Sequence, residues 1–172
     1  MENTNERNVK VLVADPSALG LFGLAIITLV ASSQKLGLTS GVSLVLPWAI
    51  FLGASAQLVA CINDFKHNNV FGATAFGAYA FFWYAMGFSW MIQNGVFGEK
   101  LAASVDTTQL GVAFLGLSLS SFGIATELTH GIAAWSELAI AILSFYGCAG
   151  NVLNGHLKKV ILPLGKPFGI LK

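Results

Sequence analysis

Residues 70–98 form an uncharged stretch that is long enough to cross a lipid bilayer as a single helix. The bilayer core offers no water to the backbone, so a segment that crosses it must satisfy its own N–H and C=O groups. The stretch nevertheless carries polar side chains, among them Thr74, Tyr79 and Gln93. Lipid provides such groups with no hydrogen-bond partner, so we expect them to face other helices or an aqueous path.

Four further apolar segments, separated by charged residues, predict a polytopic membrane protein. With the first stretch they cover residues 16–34, 36–63, 68–98, 107–126 and 138–155. Each segment can hold a helix of about 17–25 residues. We therefore predict an all-α transmembrane helix bundle with five spans over residues 15–156, a polar N-terminal tail over residues 1–14 and a basic C-terminal tail over residues 157–172. Pro47 predicts a helix entry or a kink in the second segment.

The composition argues against other classes of protein. Charged residues are 10% of the chain and hydrophobic ones 55%, whereas an average soluble domain has about 25% charged residues. No basic cluster indicates a nucleic-acid partner. The spans contain no cluster of His, Asp, Glu or Cys that would act as base, ligand or nucleophile, so we expect neither an enzyme nor a cofactor or metal site. Cys61 and Cys148 are interpreted as buried small hydrophobic residues.

The charges of the two tails conflict with five crossings. The C-terminal tail contains Lys158, Lys159, Lys166 and Lys172, which predicts that it is cytoplasmic. Arg7 in the N-terminal tail weakly indicates the same side for that end. Two ends on one side require an even number of crossings. Either the N-terminus lies outside, or the glycine-containing region 107–135 is broken into pieces that do not each span.

Residues 15–21 begin the first helix and form the first candidate site. Asp15 suits an N-cap, and Pro16 suits the first helical position because its missing N–H would have been unpaired there. One face of the helix then carries Ser17, Leu21, Leu24, Thr28 and Ala31. Helix capping alone explains Asp15 and Pro16. The alternative is a site at the helix start that attracts an anion.

Residues 68–83 form the second candidate site. One side of this predicted helix carries Asn69, Gly72, Phe76, Tyr79, Trp83 and Met86. The row can be a packing seam against a neighbouring helix. It can equally line a narrow pore in which a tyrosine hydroxyl is the polar group. Asn69 at the helix mouth is a donor for a carboxylate that adds no fixed charge.

At these residues the chain resembles the succinate–acetate permease family of small acetate transporters, also called the acetate uptake transporter family. The family's opening motif, Asn-Pro-Ala-Pro-Leu-Gly-Leu, is matched by Pro16, Leu19, Gly20 and Leu21. Its third-helix motif is matched by Asn69, Phe71, Gly72, Thr74, Ala75, Phe76, Tyr79, Phe82 and Trp83. Residues 51–57, 151–154 and 161–165 resemble further family segments.

The resemblance implies six helices per subunit, a hexameric ring and a pore in each subunit that is narrowed by a Phe, a Leu and a Tyr. The Tyr corresponds to Tyr79, and Leu24 stands where the family has the Phe. The family's Leu has no clear match, because residues 109–135 are shorter than the family by about one helix. Asp15 replaces an Asn of the family.

The resemblance thus implies transport of acetate and related small carboxylates, with succinate as a further candidate, by a proton symporter or a channel in the plasma membrane. The expected substrate and pore residues are Asp15, Pro16, Leu21, Leu24, Asn69, Thr74, Phe76 and Tyr79. Asp15 is the acidic residue that we expect to exchange a proton at a helix mouth. The expected partners are the lipid bilayer, the carboxylate, protons and further copies of the chain. The alternative is a non-transporting scaffold or sensing subunit, because one helix of the family is missing.

Overall fold

The computed structural model describes residues 14–121 and 130–164, and within these ranges it contains helices and no strand. The six helices are α1 (Ser17–Lys35), α2 (Val45–Lys66), α3 (Val70–Gln93), α4 (Glu99–Ala102), α5 (Thr108–Ser121) and α6 (His130–Leu157). The prediction of an all-α bundle is therefore confirmed.

Three segments of the described chain are long and apolar enough to cross a membrane by length and composition: Ser17–Lys35, Val45–Lys66 and Trp135–Leu157. The protein is an integral membrane protein. Helix α3 has 24 residues, about 36 Å at 1.5 Å per residue, which exceeds the roughly 30 Å of a hydrocarbon core. Three described helices meet the requirements of both length and hydropathy, whereas the sequence predicts five spans. The count of five therefore stays a prediction.

Pro47 lies in the first turn of α2, as expected for a residue that marks a helix entry. The second helix begins at Val45 rather than directly after Lys35, and Pro47 is followed by a π-helical segment, Trp48–Ala54. The N–H of Ser55 ends this segment by donating to the carbonyl of Ile50, five residues earlier. π-Helical turns inside α-helices are rare and occur frequently at functional sites.

The contacts between helices establish the direction of each one. Lys35 at the end of α1 forms an ion pair with Glu137 near the start of α6, so these two helices are antiparallel. The ring nitrogen Nε2 of His67, just after α2, lies 3.1 Å from the carbonyl oxygen of Ala14, just before α1. Helix α2 therefore runs against α1. Phe76, early in α3, covers Gly20, early in α1, so α1 and α3 are parallel.

These directions also relate the two ends of the bundle to each other. Helix α3 ends on the side of the bundle where α6 begins, so the connection between them starts and ends on one side. Ala14, just before α1, and Leu157, at the end of α6, therefore lie at the same end of the bundle.

This topology predicts which loops are labelled together in a sealed vesicle. After replacement of Cys61 and Cys148, single cysteines at Leu38 and Val96 should react with a membrane-impermeant maleimide from the same side. A cysteine at Lys66 should react from the opposite side. Labelling of the Leu38 and Val96 variants from opposite sides would show that α1 and α3 are not parallel in the membrane.

Small residues bring the helices of the bundle into close contact. A Cβ atom on Gly53 would lie 3.0 Å from Ile27 of α1, and one on Gly77 would lie 3.0 Å from the sulfur of Cys61. Association in lipid depends on such packing, because lipid tails are as apolar as the side chains. Around these contacts lies a buried core of Ile27, Ala31, Val45, Ala49, Ala54 and Trp83.

The chain folds back onto α6 after Leu157. The side-chain oxygen of Asn154 accepts the N–H groups of Ile161 and Leu162, at 2.7 and 3.1 Å. The Tyr146 hydroxyl donates to the carbonyl of Pro163 at 2.9 Å. The beginning of the basic C-terminal segment is thus attached to the bundle.

Candidate functional site

The start of α1 is capped as the sequence predicts, although the helix is assigned from Ser17. The carboxylate of Asp15 accepts the N–H of Ser17 at 2.9 Å, and the carbonyl of Pro16 accepts the N–H of Gly20 at 3.1 Å. A carboxylate that accepts the N–H two residues later satisfies one of the unpaired donors of a helix start. Asp15 is exposed and Pro16 is buried. The hydrogen bond to Ser17 therefore gives Asp15 the capping role.

The start of α3 is held by a different pair of side chains. Asn69 caps the helix, and its side-chain oxygen accepts the N–H of Gly72 at 3.1 Å. Its Nδ2 donates to Oδ1 of Asp64 at 3.0 Å, and its backbone N–H donates to the Asp64 carbonyl at 3.0 Å. Asn69 does donate to a carboxylate, but this carboxylate belongs to the protein itself.

The two candidate sites meet where α1 and α3 pack together. The ring of Phe76 lies against the backbone of Gly20, and its Cζ is 2.6 Å from the position of a Cβ there. Leu24 lies one turn beyond Gly20 and is buried, and Tyr79 lies about one turn beyond Phe76 and is 42% exposed. Because α1 and α3 are parallel and rise 1.5 Å per residue, Leu24 and Tyr79 lie at the same level of the bundle.

Two of the predicted residues do not join this group. Thr74 is exposed. It lies on the side of α3 opposite to Phe76, because residues two positions apart in an α-helix are rotated by about 200° around the helix axis. Leu21 is directed at α6, where its Cδ1 lies 3.0 Å from the position of a Cβ on Gly147. Periodicity placed Leu21 and Leu24 on one face, but only the packing of α6 shows that this face is divided between two neighbours.

The sequence interpretation missed Asp64 as part of a helix mouth. Asp64 follows the second apolar segment, and Asp15 is the acidic residue that the sequence predicts at a helix mouth. In the structure Asp64 is 1% exposed and lies beside the start of α3, whereas Asp15 is exposed. The Asn69–Asp64 hydrogen bond spans five residues across a turn, and no sequence periodicity indicates such a contact.

Gln57 is a second polar residue that sequence reasoning did not place in the site. It is fully buried, and its Nε2 donates to the carbonyl of Gly53 in the π-helical segment. Its side-chain oxygen has no partner in the described part of the chain. Nearby, the hydroxyls of Ser55 and Tyr84 are hydrogen-bonded at 2.9 Å. Polar groups of this kind inside a membrane bundle indicate a functional interior.

A cavity of about 340 Å³ lies at the other end of α3, where α4 and α5 begin. Its polar lining includes Gln93, Ser104, Asp106 and Gln109, and it contains none of the predicted site residues. The hydroxyl and the backbone N–H of Thr108 donate to Asp106 and hold the pKa of its carboxyl below the usual range. Because the cavity lies at the end of α3 opposite to Asn69, it is separate from the helix mouth that Asn69 forms.

The described residues contain no group of three His, Cys, Asp or Glu side chains that could hold a metal ion. The interior at the α1–α3 contact is instead apolar, with isolated amide, hydroxyl and carboxyl groups.

A sequence profile of the GPR1/FUN34/yaaH family matches residues 2–154 of the chain. The chain belongs to this family. The resemblance to the succinate–acetate permeases is thereby confirmed, since the relatives include the succinate–acetate/proton symporter SatP of Escherichia coli K12. That protein is 25% identical over 183 residues, which cover 90% of this chain and 96% of SatP.

A second relative and a solved structure support the same assignment. A protein of Methanothermobacter thermautotrophicus without an assigned function is 31% identical over 163 residues, covering 89% of this chain and 79% of its own length. The structure of the bacterial acetate channel SatP matches with a TM-score of 0.67 and 23% identity, covering 90% of this chain and all of that chain. The latter match confirms the helical membrane fold.

Proposed function

We propose that this protein transports acetate and related small carboxylates, including succinate, across the membrane. Family membership supports transport, and the observation that carries the substrate class is the similarity to the succinate–acetate/proton symporter over 90% of the chain. The non-transporting scaffold is not favoured, because the third-helix motif that defines the candidate pore is present and folded.

The proposed path runs along the contact of α1 and α3. A carboxylate that leaves water loses its hydration shell, so the path must either replace those hydrogen bonds or carry a proton with the anion. Tyr79, a residue that is 42% exposed, supplies the hydroxyl donor at the level of Leu24, and Phe76 forms an apolar wall next to Gly20. Asn69 stabilises the start of α3 through its capping hydrogen bond. Asp15 and Pro16 form the start of α1 at the entrance of the proposed path.

The assembly and location follow from the same reasoning. We expect a homo-oligomer, a hexamer by family resemblance, in the plasma membrane. Exposed aromatic residues along α3, such as Phe71, Phe81 and Phe88, are compatible with lipid or subunit contacts. The lysines after Leu157 favour a cytoplasmic C-terminal tail, and because α1 and α6 are antiparallel, Ala14 lies at the same end of the bundle.

Uptake of labelled acetate into proteoliposomes, with and without an inward proton gradient, tests the function. Uptake that the gradient stimulates would indicate a proton symporter. Saturable flux that is independent of the gradient would indicate a channel. If folded, oligomeric protein gives no flux above empty liposomes, the proposed transport function is wrong.

Replacing Tyr79 by phenylalanine should lower acetate flux on the order of 3–10-fold, because one hydrogen bond to the passing carboxylate is worth about 0.5–1.5 kcal/mol. Assembly should be unaffected, since the Tyr79 hydroxyl makes no hydrogen bond that the described structure needs. Tyr146→Phe is the matched control, because its hydroxyl bonds to Pro163 outside the proposed path. Equal flux in wild type and Tyr79→Phe would exclude Tyr79 from the path.

A further inference from the structure

A buried carboxyl group, that of Asp64, lies at the junction of α2 and α3. It is hydrogen-bonded to Asn69 at the mouth of the proposed pore. Asp64 is 1% exposed, and Oδ1 accepts a hydrogen bond from Asn69. Its other oxygen, Oδ2, is buried and has no hydrogen-bond partner in the described chain. Oδ2 is in close contact with Gly72, because a Cβ on that residue would overlap it. A free carboxyl oxygen is thus directed at the first turn of α3.

Asp64 lies in a buried position beside the start of a helix. An ionised carboxylate removed from water is strongly unfavourable unless it is paired. The unsatisfied N–H groups at a helix start carry positive partial charge and favour a negative group beside them.

No described cation neutralises Asp64. At the end of the bundle where Asp64 lies, the described titratable and charged groups are Asp15 before α1, Cys61, Lys66 and His67 on or after α2, and His156, Lys158 and Lys159 at or after the end of α6. The amine of Lys66 donates to the side chain of Asn63 at 3.3 Å, and His67 contacts Ala14. Helix α3 carries no charged side chain along its whole length. Asp64 and Cys61 are near enough to interact electrostatically, but a thiol supplies no positive charge.

We propose that Asp64 is the group that carries the proton during coupled carboxylate transport, an inference that rests on the transport function proposed above. Oδ2 binds a proton from the compartment of higher proton activity while one acetate anion enters the path. Both leave to the other compartment, so each cycle moves one proton and one acetate and no net charge. Asn69 transmits the state of Asp64 to the start of α3, because it bonds to both.

Asp64→Asn is the variant that isolates proton binding from structure. The asparagine retains an oxygen that can accept from Asn69 Nδ2, but it cannot exchange a proton. We expect this variant to lose accumulation of acetate driven by a proton gradient, while exchange of labelled for unlabelled acetate at equal pH continues. Asp106→Asn is the matched control, since this exposed carboxyl lies at the other end of α3 and asparagine is also a good cap. It should retain both activities.

The other results contradict the proposal in distinct ways. Gradient-driven accumulation by Asp64→Asn at the wild-type level would exclude Asp64 as the proton carrier. Loss of exchange as well, in protein that remains folded, would mean that Asp64 has a structural role instead. Wild-type flux that does not respond to a gradient would overturn the proton carrier and leave acetate transport standing.

An infrared measurement tests Asp64 without any transport. Difference spectra of the wild-type protein on changing pH should contain a carboxylic acid C=O band that is absent from Asp64→Asn and present in Asp106→Asn. The presence of this band in Asp64→Asn would show that another group takes up the proton. Absence of acetate flux in wild type, together with an Asp64 band, would overturn the transport function while leaving Asp64 as a proton-binding group.

Discussion

Alanine at Gly23 should prevent the normal packing of α1 on α2. A Cβ atom there would lie 2.6 Å from the carbonyl oxygen of Leu52 and 3.0 Å from the Cβ of Ala56. The nearest of these atoms is backbone, so no side-chain rotation can relieve the overlap. Overpacking of a tight contact costs about 1–3 kcal/mol, and we expect a lower melting temperature in detergent and a smaller monodisperse fraction on size exclusion.

Gly155→Ala is the control for that experiment. No heavy atom lies within 4 Å of the position of its Cβ, and alanine inside a helix is more stable than glycine by about 0.5–1 kcal/mol. Its melting temperature should be unchanged or slightly raised. A Gly23→Ala protein as stable as wild type would show that α1 and α2 are further apart in the membrane than in this structure.

Alanine at Gly72 should disrupt the turn between α2 and α3 and with it the proposed pore mouth. Its Cβ would overlap Oδ2 of Asp64 and would lie 2.5 Å from Nδ2 of Asn69. Relief of the overlap requires Asp64 to move away from Asn69, and the hydrogen bond that is then lost is worth about 0.5–1.5 kcal/mol. We expect loss of both thermal stability and acetate flux per folded protein.

A double-mutant cycle separates this cause from a general intolerance of alanine at Gly72. In an Asp64→Ala background, the overlapping oxygen is absent, so Gly72→Ala should cost much less than it does in wild type. Residues in direct contact give non-additive free energies in such cycles. Additive effects on the melting temperature would contradict the contact between Asp64 and Gly72.

The structure also separates what local patterns can predict from what they cannot. The uncharged length of residues 70–98 predicted a long helix, and α3 occupies Val70–Gln93 within it. Asp15 was identified as a helix cap, because capping depends on residues two or three positions apart, and Asn69 was placed at a helix mouth. The motif of the third helix was sufficient to identify the family. Each of these features depends on neighbours in the chain.

Periodicity was less informative about which neighbouring helix each helix face contacts. It grouped Leu21 with Leu24, but Leu21 contacts α6. Thr74 matched the family motif, yet the helix carries it away from Phe76 to an exposed position. A helical pattern shows which residues share a side and does not show which neighbour covers that side. That depends on where the other helices lie.

The sequence by itself determined the membrane-embedded helical class, the family and the starts of α1 and α3, because these follow from hydropathy, capping and a local motif. Only the tertiary structure decided that α1 and α6 are antiparallel, that Ala14 and Leu157 share a side, and that Asp64 is buried against Gly72. These features depend on contacts between segments far apart in the chain, which hydropathy and spacing along the sequence do not determine.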